Sequence, residues 1–292
     1  MSFVHQKKLT LFDIANYTMM TVISFMCVFP FLYVLSVSLT DRSVYVPYAF
    51  KLIPDKFSLE SYAYILSSNS FLNALKSTVF ITIVGTILNL IFTFTMAYGL
   101  TEKRLPHRNW IYGTVVFSLV FSAGIIPNFL LVKELGLMNS YWALIIPSLT
   151  NAWSLIVVKS FMDSLPHEVI ESAKIDGCTD IRVFLKIVIP LSMPAIAAFT
   201  LFFAVAHWNT YFNALMFLTD SKKWTLQVLV KSLVLDNSAI TAGMESSIGD
   251  SSPPSETVRS ASVFLAILPI LFVYPFLQKH FAKGVMLGSI KG

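Results

Sequence analysis

The side chains with the most informative chemistry lie in a polar segment at the centre of the chain, between two long apolar runs. The segment contains Glu171-Ser172-Ala173-Lys174-Ile175-Asp176-Gly177 and, after nine further residues, Ile187-Val188-Ile189-Pro190. Carboxylate and ammonium groups on such a loop can form ion pairs and hydrogen bonds with a soluble protein. The pattern therefore predicts a contact surface for a soluble partner.

Catalytic and metal-binding chemistry is not predicted. The two cysteines, Cys27 and Cys178, lie in an apolar run and in the polar segment, so no disulfide is expected. An enzyme within the membrane is disfavoured because His207 has no nucleophile beside it with which to form a catalytic pair. We expect no catalytic residue, no metal and no cofactor. No two histidines have the spacing of metal ligands: His5, His107, His167, His207 and His280.

The composition is that of a membrane protein. Of the 292 residues, 55% are hydrophobic and only 13% are charged, whereas a soluble domain carries about 25% charged residues. The net charge of +5 does not indicate nucleic-acid binding, because the basic residues are scattered over loops and form no patch with aromatic residues. The first apolar run is too long for a cleaved signal and is predicted to be retained.

Six segments are long and apolar enough to cross a bilayer, and each must be helical because lipid offers backbone groups no other partner. The fold class is therefore predicted to be all-α, a polytopic membrane protein with six transmembrane helices. The predicted spans are 14–39, 72–100, 110–132, 141–161, 190–218 and 260–277.

Lysine and arginine counts predict that both termini are cytoplasmic. With that orientation the inner segments hold 12 of these residues and the longer outer segments hold 8, as expected when positive charge is retained inside. The predicted organisation is a cytoplasmic N-terminus 1–13, a transmembrane domain 14–278 with a cytoplasmic loop 162–189, and a cytoplasmic tail 279–292. Outside, 58–66 is predicted to be a short amphipathic helix. Segment 221–259 is predicted to be long, polar and partly irregular, and it is either a surface for an external partner or a solvated connector.

The loop 162–189 is predicted to form two short amphipathic helices joined at Gly177, since glycine adopts positive φ at low cost. A Ser164 hydroxyl cap and Pro166 in the first turn start the first helix. The second starts at Thr179-Asp180, and its apolar face follows helical spacing: Ile181, Phe184, Leu185 and Val188. Such a knob fits a groove on another protein, or folds against its own bundle; the spacing leaves both open.

The polar segment resembles the Glu-Ala-Ala loop of importer permeases driven by ATP-binding cassettes, whose form is Glu-Ala-Ala-x-x-x-Gly-x9-Ile-x-Leu-Pro. Ser172 and Ile189 are mild departures from it. The segments Trp208-Asn209-x-Tyr211-Phe212-Asn213-Ala214 and Tyr274-Pro275-Phe276-Leu277-Gln278-Lys279-His280-Phe281, with the glycines that follow, resemble carbohydrate-type permeases. The chain is identified as similar to MetI-like permeases, closest to the second permease subunit of maltose-like and oligosaccharide importers.

This resemblance implies a subunit of the bacterial inner membrane that forms half of a pathway for a sugar or oligosaccharide. Its implied partners are a second, different permease subunit, two cytoplasmic ATP-binding cassette subunits, which hydrolyse the ATP, and an extracellular or periplasmic solute-binding protein. The ATPase-coupling residues implied in the loop are Glu171, Ser172, Ala173, Asp176, Gly177, Ile187 and Pro190.

Solute contacts are predicted where polar and aromatic side chains cluster within a span, because such groups are costly in lipid and face a cavity or a neighbouring helix. The cluster is His207, Trp208, Asn209, Tyr211 and Asn213 in the fifth span, with Asn128, Asn151 and Trp153 as weaker candidates. Hydrogen bonding between helices is the alternative role. The alternatives for the whole chain are an ion-driven secondary transporter, a permease for another solute, and a purely structural subunit.

Overall fold

The computed structural model describes residues 10–41, 43–47, 49–235 and 255–288, and within these ranges the chain is helical without regular strands. The all-α prediction is confirmed. Short 3-10 helices lie at Ile146–Ser148 and Ser221–Lys223, and a π-helical turn lies at Phe184–Val188. The α-helices of the described residues are α1 Leu11–Ser38, α2 Glu60–Ser67, α3 Asn69–Thr101, α4 Arg108–Val120, α5 Ile125–Glu134, α6 Trp142–Ile145, α7 Ala152–Asp163, α8 His167–Ile175, α9 Asp180–Val183, α10 Ile189–Leu191, α11 Met193–Trp208, α12 Phe212–Phe217, α13 Leu226–Leu235 and α14 Ser255–Gly288.

Three helices are long and apolar enough to cross a membrane unbroken, and two bent pairs raise the number to five if each pair is one span. The unbroken helices are α1, α3 and residues 256–273 of α14. The bent pairs are 142–148 with 152–163, at 48°, and 180–191 with 193–208, at 79°. The count of six spans stays a prediction.

Two predicted spans are interrupted in the structure, so their continuity was wrongly predicted. The third, 110–132, consists of α4 and α5, separated by four residues that end at Gly124, whose φ is +86°. The fifth, 190–218, consists of α10, α11 and α12, with α11 ending at Trp208. The fourth bends at a 3-10 turn that contains Pro147, because proline cannot donate the helical hydrogen bond.

The described chain divides into two compact units. The first unit contains α1, α2 and the beginning of α14. A reciprocal capping box between Thr10 and Asp13 begins α1. The predicted helix 58–66 is confirmed as α2, in which Ser61 and Ile65 are buried, and the Ser61 hydroxyl donates to Thr257 Oγ1 over 2.9 Å.

The second unit is built around α3, whose 33 residues extend for about 50 Å at 1.5 Å per residue. Helices α7 and α11 pack along it, and Phe94 meets Phe199 edge to face at 6.3 Å between ring centroids. One buried apolar cluster joins α3, α7 and α11 to α8 and α9. A second joins α3 to α5, α6, α12 and α13. The loop 162–189 is therefore packed against α3 through a shared core.

A row of polar side chains on α3 explains how broken helices are tolerated beside it. Asn89 donates to the Ser148 carbonyl where the fourth span breaks, over 2.6 Å. Thr93 donates to Thr150 Oγ1 at 3.2 Å, and Thr78 Oγ1 accepts from the Leu226 N–H of α13 at 2.7 Å. Backbone groups freed by a break need such partners at membrane depth.

The prediction for the segment before α14 needs correction. Segment 221–259 is not simply polar and irregular, because it contains the apolar helix α13; residues 236–254 lie outside the described residues. Helix α14 continues through Gly288, so the described part of the tail 279–292 is helical. Residues 1–9 and 289–292 lie outside the description, and the cytoplasmic location of both termini stays a prediction.

Candidate functional site

The loop 162–189 begins with a helix that lacks the predicted hydroxyl cap. Ser164 ends α7 instead, and its hydroxyl donates to the Phe161 carbonyl at 2.6 Å. Pro166 is the residue that precedes α8, and no side chain caps the helix. Glu168 lies in the first turn, where the helix dipole favours negative charge.

Gly177 forms the predicted elbow after α8. Its φ is +80°, and two backbone bonds close the turn: Cys178 N–H to Ala173 O at 3.0 Å and Gly177 N–H to Lys174 O at 3.1 Å. These are the two bonds of a Schellman motif, which commonly places glycine at this position. A Cβ built on Gly177 would meet no atom within 4 Å, so the glycine serves the backbone conformation and leaves open space around the elbow.

The second half of the loop differs from the predicted regular helix. It consists of α9, the π-helical turn Phe184–Val188 and α10. Val183 and Val188 are buried, and Phe184 packs on Tyr98 of α3 at 4.9 Å between ring centroids. Of the apolar face predicted from the spacing, Ile181 and Leu185 are exposed, whereas Val188 is buried. The extra residue of a π turn shifts the apolar register, which the spacing alone did not predict.

Lys174 joins three parts of the second unit. Its Nζ lies 2.6 Å from Glu102 Oε2, just after α3, and 3.2 Å from Asp180 Oδ1, at the start of α9. The Tyr98 hydroxyl donates to the Asp180 carbonyl at 3.4 Å. The hydrogen bond from Lys174 holds the pKa of Glu102 below its ordinary value, and the bond to Glu102 raises the pKa of Lys174. Sequence reasoning missed Glu102, which is 72 residues away.

The outward surface of the loop combines charge with exposed apolar side chains. Ile175 is 86% exposed, Ile181 72% and Leu185 58%, and several large apolar side chains exposed on one loop are more informative than a single one. The predicted coupling residues differ in their exposure. Ala173 is buried and Ile187 is partly buried. The others are exposed: Glu171, Ser172, Asp176, Gly177 and Pro190. We call the exposed set of Glu171, Ile175, Ile181 and Leu185 the coupling surface.

The predicted solute residues divide into buried and exposed members. His207 and Trp208 are buried, and His207 Nε2 lies 2.9 Å from Asn89 Oδ1. A Cβ on Gly85 would come within 2.5 Å of the imidazole, so glycine is needed for α3 and α11 to approach here. This geometry is that of a hydrogen bond between helices. Whether His207 also contacts solute stays a prediction.

The remaining solute candidates gather where α11 ends. Asn209 is exposed and accepts from Gln227 Nε2 of α13 at 3.4 Å. Lys231 Nζ lies 4.2 Å from the ring centroid of Tyr211, and Asn213 is exposed. Lys231 and Gln227 were not among the sequence candidates, because their helix was not predicted.

The three weaker candidates lie elsewhere in the second unit. Asn151 caps α7 by accepting from the Ser154 N–H at 2.8 Å. The Trp153 ring packs against Phe199 and Phe202, and Asn128 is exposed on α5. Among the described residues, no three His, Cys, Asp or Glu side chains are grouped so as to hold a metal ion.

Comparison with known proteins places this architecture among transporters. Residues 106–287 match the family described as binding-protein-dependent transport system inner membrane component. The chain is 45% identical over 282 residues to the polygalacturonan/rhamnogalacturonan transport system permease protein YtcP of Bacillus subtilis (strain 168), covering 97% of this chain and 99% of that protein. It is 44% identical over 281 residues to Protein LplC of the same organism, covering 96% and 95% respectively.

A solved structure gives the same result for the fold. The crystal structure of a bacterial ABC transporter involved in the import of the acidic polysaccharide alginate contains a chain with a TM-score of 0.85 and 29% sequence identity. The match covers 96% of this chain and 100% of that one.

Proposed function

We propose that this chain takes part in the import of an acidic oligosaccharide and that ATP hydrolysis drives it through its coupling surface. The chain belongs to the family of binding-protein-dependent transport system inner membrane components and is a permease subunit of a bacterial ABC importer. Two similar proteins support the solute class. One is a polygalacturonan/rhamnogalacturonan permease and the other belongs to an importer of an acidic polysaccharide. Galacturonate units carry one carboxylate each.

The observation that carries the coupling role is the exposure of apolar side chains on a rigidly held elbow. Gly177 sets the turn, Lys174 ties it to Glu102 and Asp180, and Ile175 projects outward with 86% of its surface exposed. A short amphipathic helix with an exposed apolar side suits a groove on a partner. The proposed partner is a cytoplasmic ATP-binding cassette subunit, which binds the coupling surface.

The proposed mechanism transmits motion from the ATPase to α3. When the ATPase subunits close, the elbow moves with them, and Lys174 and the buried contacts of Val183 and Val188 displace the adjoining end of α3. Because packed cores shift between discrete arrangements, this displacement switches the pathway between inward- and outward-facing states. A second permease subunit, different from this one, supplies the other half of the pathway, and a solute-binding protein delivers the oligosaccharide.

The ion-driven alternative is not supported. Besides the family match, the helices α3 and α11 contain no Asp or Glu that would exchange a proton or bind sodium at membrane depth.

The test is uptake of labelled trigalacturonate by the host bacterium with and without this chain. We expect uptake to require the chain, to survive a protonophore while ATP is maintained, and to stop when ATP is depleted. Uptake that persists without the chain contradicts the solute assignment. Uptake that collapses with the protonophore at constant ATP contradicts the ATP-driven mechanism.

A further inference from the structure

Helix α13 places one cation beside the predicted solute residues. The helix has the sequence LQVLVKSLVL, and its charged residue, Lys231, is exposed. The helix begins against α3, where Thr78 Oγ1 accepts from the Leu226 N–H. Lys231 is the one charged side chain on an otherwise apolar helix.

Lys231 belongs to a polar patch formed by two hydrogen-bonded elements. Gln227 and Lys231 lie four residues apart on α13 and therefore share a face. Asn209 and Tyr211, at the end of α11, contact them: Gln227 Nε2 donates to Asn209 Oδ1 over 3.4 Å, and Lys231 Nζ lies 4.2 Å from the Tyr211 ring centroid. Thr225 and Thr210 hold the two elements together with a 2.9 Å hydrogen bond.

The charge of Lys231 is not neutralised within the part of the chain that the structure describes, where no carboxylate lies within 4 Å of its Nζ. A tyrosine face attracts a cation only moderately, so the ammonium keeps donors for an anion. The amides of Asn209 and Gln227 suit sugar hydroxyls. A neutral sugar has no anionic group with which the Lys231 ammonium could form an ion pair. A uronate unit, which has both hydroxyls and a carboxylate, matches the whole patch.

We propose that Lys231 binds the carboxylate of a uronate unit of the solute, and that Asn209 and Gln227 bind its hydroxyls. The patch thereby selects acidic over neutral oligosaccharides within the pathway. This inference rests on the proposed importer function and assigns the specificity of one site in it. A carboxylate that leaves water on binding loses hydration, and the ammonium offsets part of that loss.

The test uses the complete transporter and two solutes, trigalacturonate and its neutral trimethyl ester. For Lys231→Gln we expect about tenfold lower uptake of the acid, the effect of losing one charge-assisted hydrogen bond, and unchanged uptake of the ester. Lys231→Arg should retain uptake of the acid, because it retains the charge. Lys222→Gln, at an exposed lysine before α13, is the matched control and should behave as the wild type.

The inference is overturned if Lys231→Gln takes up the acid normally, if it loses both solutes equally, or if Lys231→Arg fails as Lys231→Gln does at equal membrane abundance. If the wild type transports the acid but not the ester, the uptake of the acid by Lys231→Gln and by Lys231→Arg is the test of the inference. A wild type that moves only neutral oligosaccharides overturns the acidic specificity while the importer function stands. A wild type that moves neither in an ATP-dependent way contradicts the proposed function itself.

Discussion

Removal of the Lys174 side-chain charge tests whether the elbow is mechanically tied to α3. In Lys174→Met both ion pairs are lost, the 2.6 Å pair with Glu102 and the 3.2 Å pair with Asp180. Lys174 and Glu102 are each 34% exposed, so solvent screens the pair and its contribution to stability is about 1 kcal/mol at most. We therefore expect the variant to fold and insert normally.

The loss of about 1 kcal/mol, although small for folding, is expected to have a measurable effect on transport. A change of about 1 kcal/mol shifts an equilibrium between a tied and a released elbow roughly fivefold. We expect the number of solute molecules moved per ATP hydrolysed to fall about fivefold in Lys174→Met, while ATP hydrolysis stays within about twofold of the wild type. Glu102→Gln should produce a similar loss, and the double variant should add little to it, because residues of one network are not additive.

The assay is parallel measurement of ATP hydrolysis and solute uptake by the complete transporter in liposomes. The matched control is Lys186→Met, which removes an exposed lysine of the same loop. The reasoning is refuted if uptake and hydrolysis fall together in Lys174→Met, if the control shows the same loss, or if the effects of Lys174→Met and Glu102→Gln are fully additive.

The remaining predictions concern pH, the elbow and the polar row of α3. The pKa of Glu102 lies below its ordinary 4.5, so the stabilising contribution of Glu102 is present above pH 4.5 and is lost as the pH falls through the lowered pKa. The pKa of Lys174 lies above its ordinary 10.5, so the contribution of Lys174 is present below pH 10.5 and is lost as the pH rises through the raised pKa. We expect the ratio of uptake to hydrolysis to be flat between these limits, and a step near neutral pH argues against the bridge. Gly177→Asp should insert at normal abundance, because a Cβ there meets no atom within 4 Å and Asp tolerates positive φ, but uptake should be abolished; normal uptake contradicts the coupling role. Asn89→Leu should lower the free energy of unfolding by about 1–3 kcal/mol, since it leaves the partly buried Ser148 carbonyl without its donor, whereas Ile91→Leu should not; equal melting temperatures in detergent contradict the proposed support of the break.

The parts of the fold predicted correctly are those that local sequence determines. Long apolar runs predict α1, α3 and α14, because length and hydropathy are properties of one segment. The elbow at Gly177 was predicted for the same reason, since glycine and the flanking polar residues lie within a few positions of one another. The helix α2 was likewise evident from its amphipathic spacing.

The parts missed depend on contacts between distant segments. Pro147 predicts a kink in the fourth span, but not that Asn89 of α3 donates to the Ser148 carbonyl there. Helix α13 was missed, and it begins where Thr78 satisfies the Leu226 N–H; neither pairing is visible in either segment alone. The ion pair between Glu102 and Lys174 likewise forms only because folding brings the two residues together. For the same reason the sequence identified Asn209 and Tyr211 as solute candidates but not Lys231 beside them.

The central claim, that the coupling surface meets an ATPase on the inner side of the membrane, is tested most directly by crosslinking from Ile175→Cys in a chain whose Cys27 and Cys178 are replaced by serine. Ile175 is 86% exposed, and Ala173→Cys, at a residue only 8% exposed, is the control. We expect the thiol introduced by Ile175→Cys to react with an impermeant thiol reagent only in inside-out vesicles and to crosslink to the ATP-binding cassette subunit, while the control stays unreactive. Labelling from the outer side, or failure to crosslink to the ATPase in an intact transporter, would contradict the account.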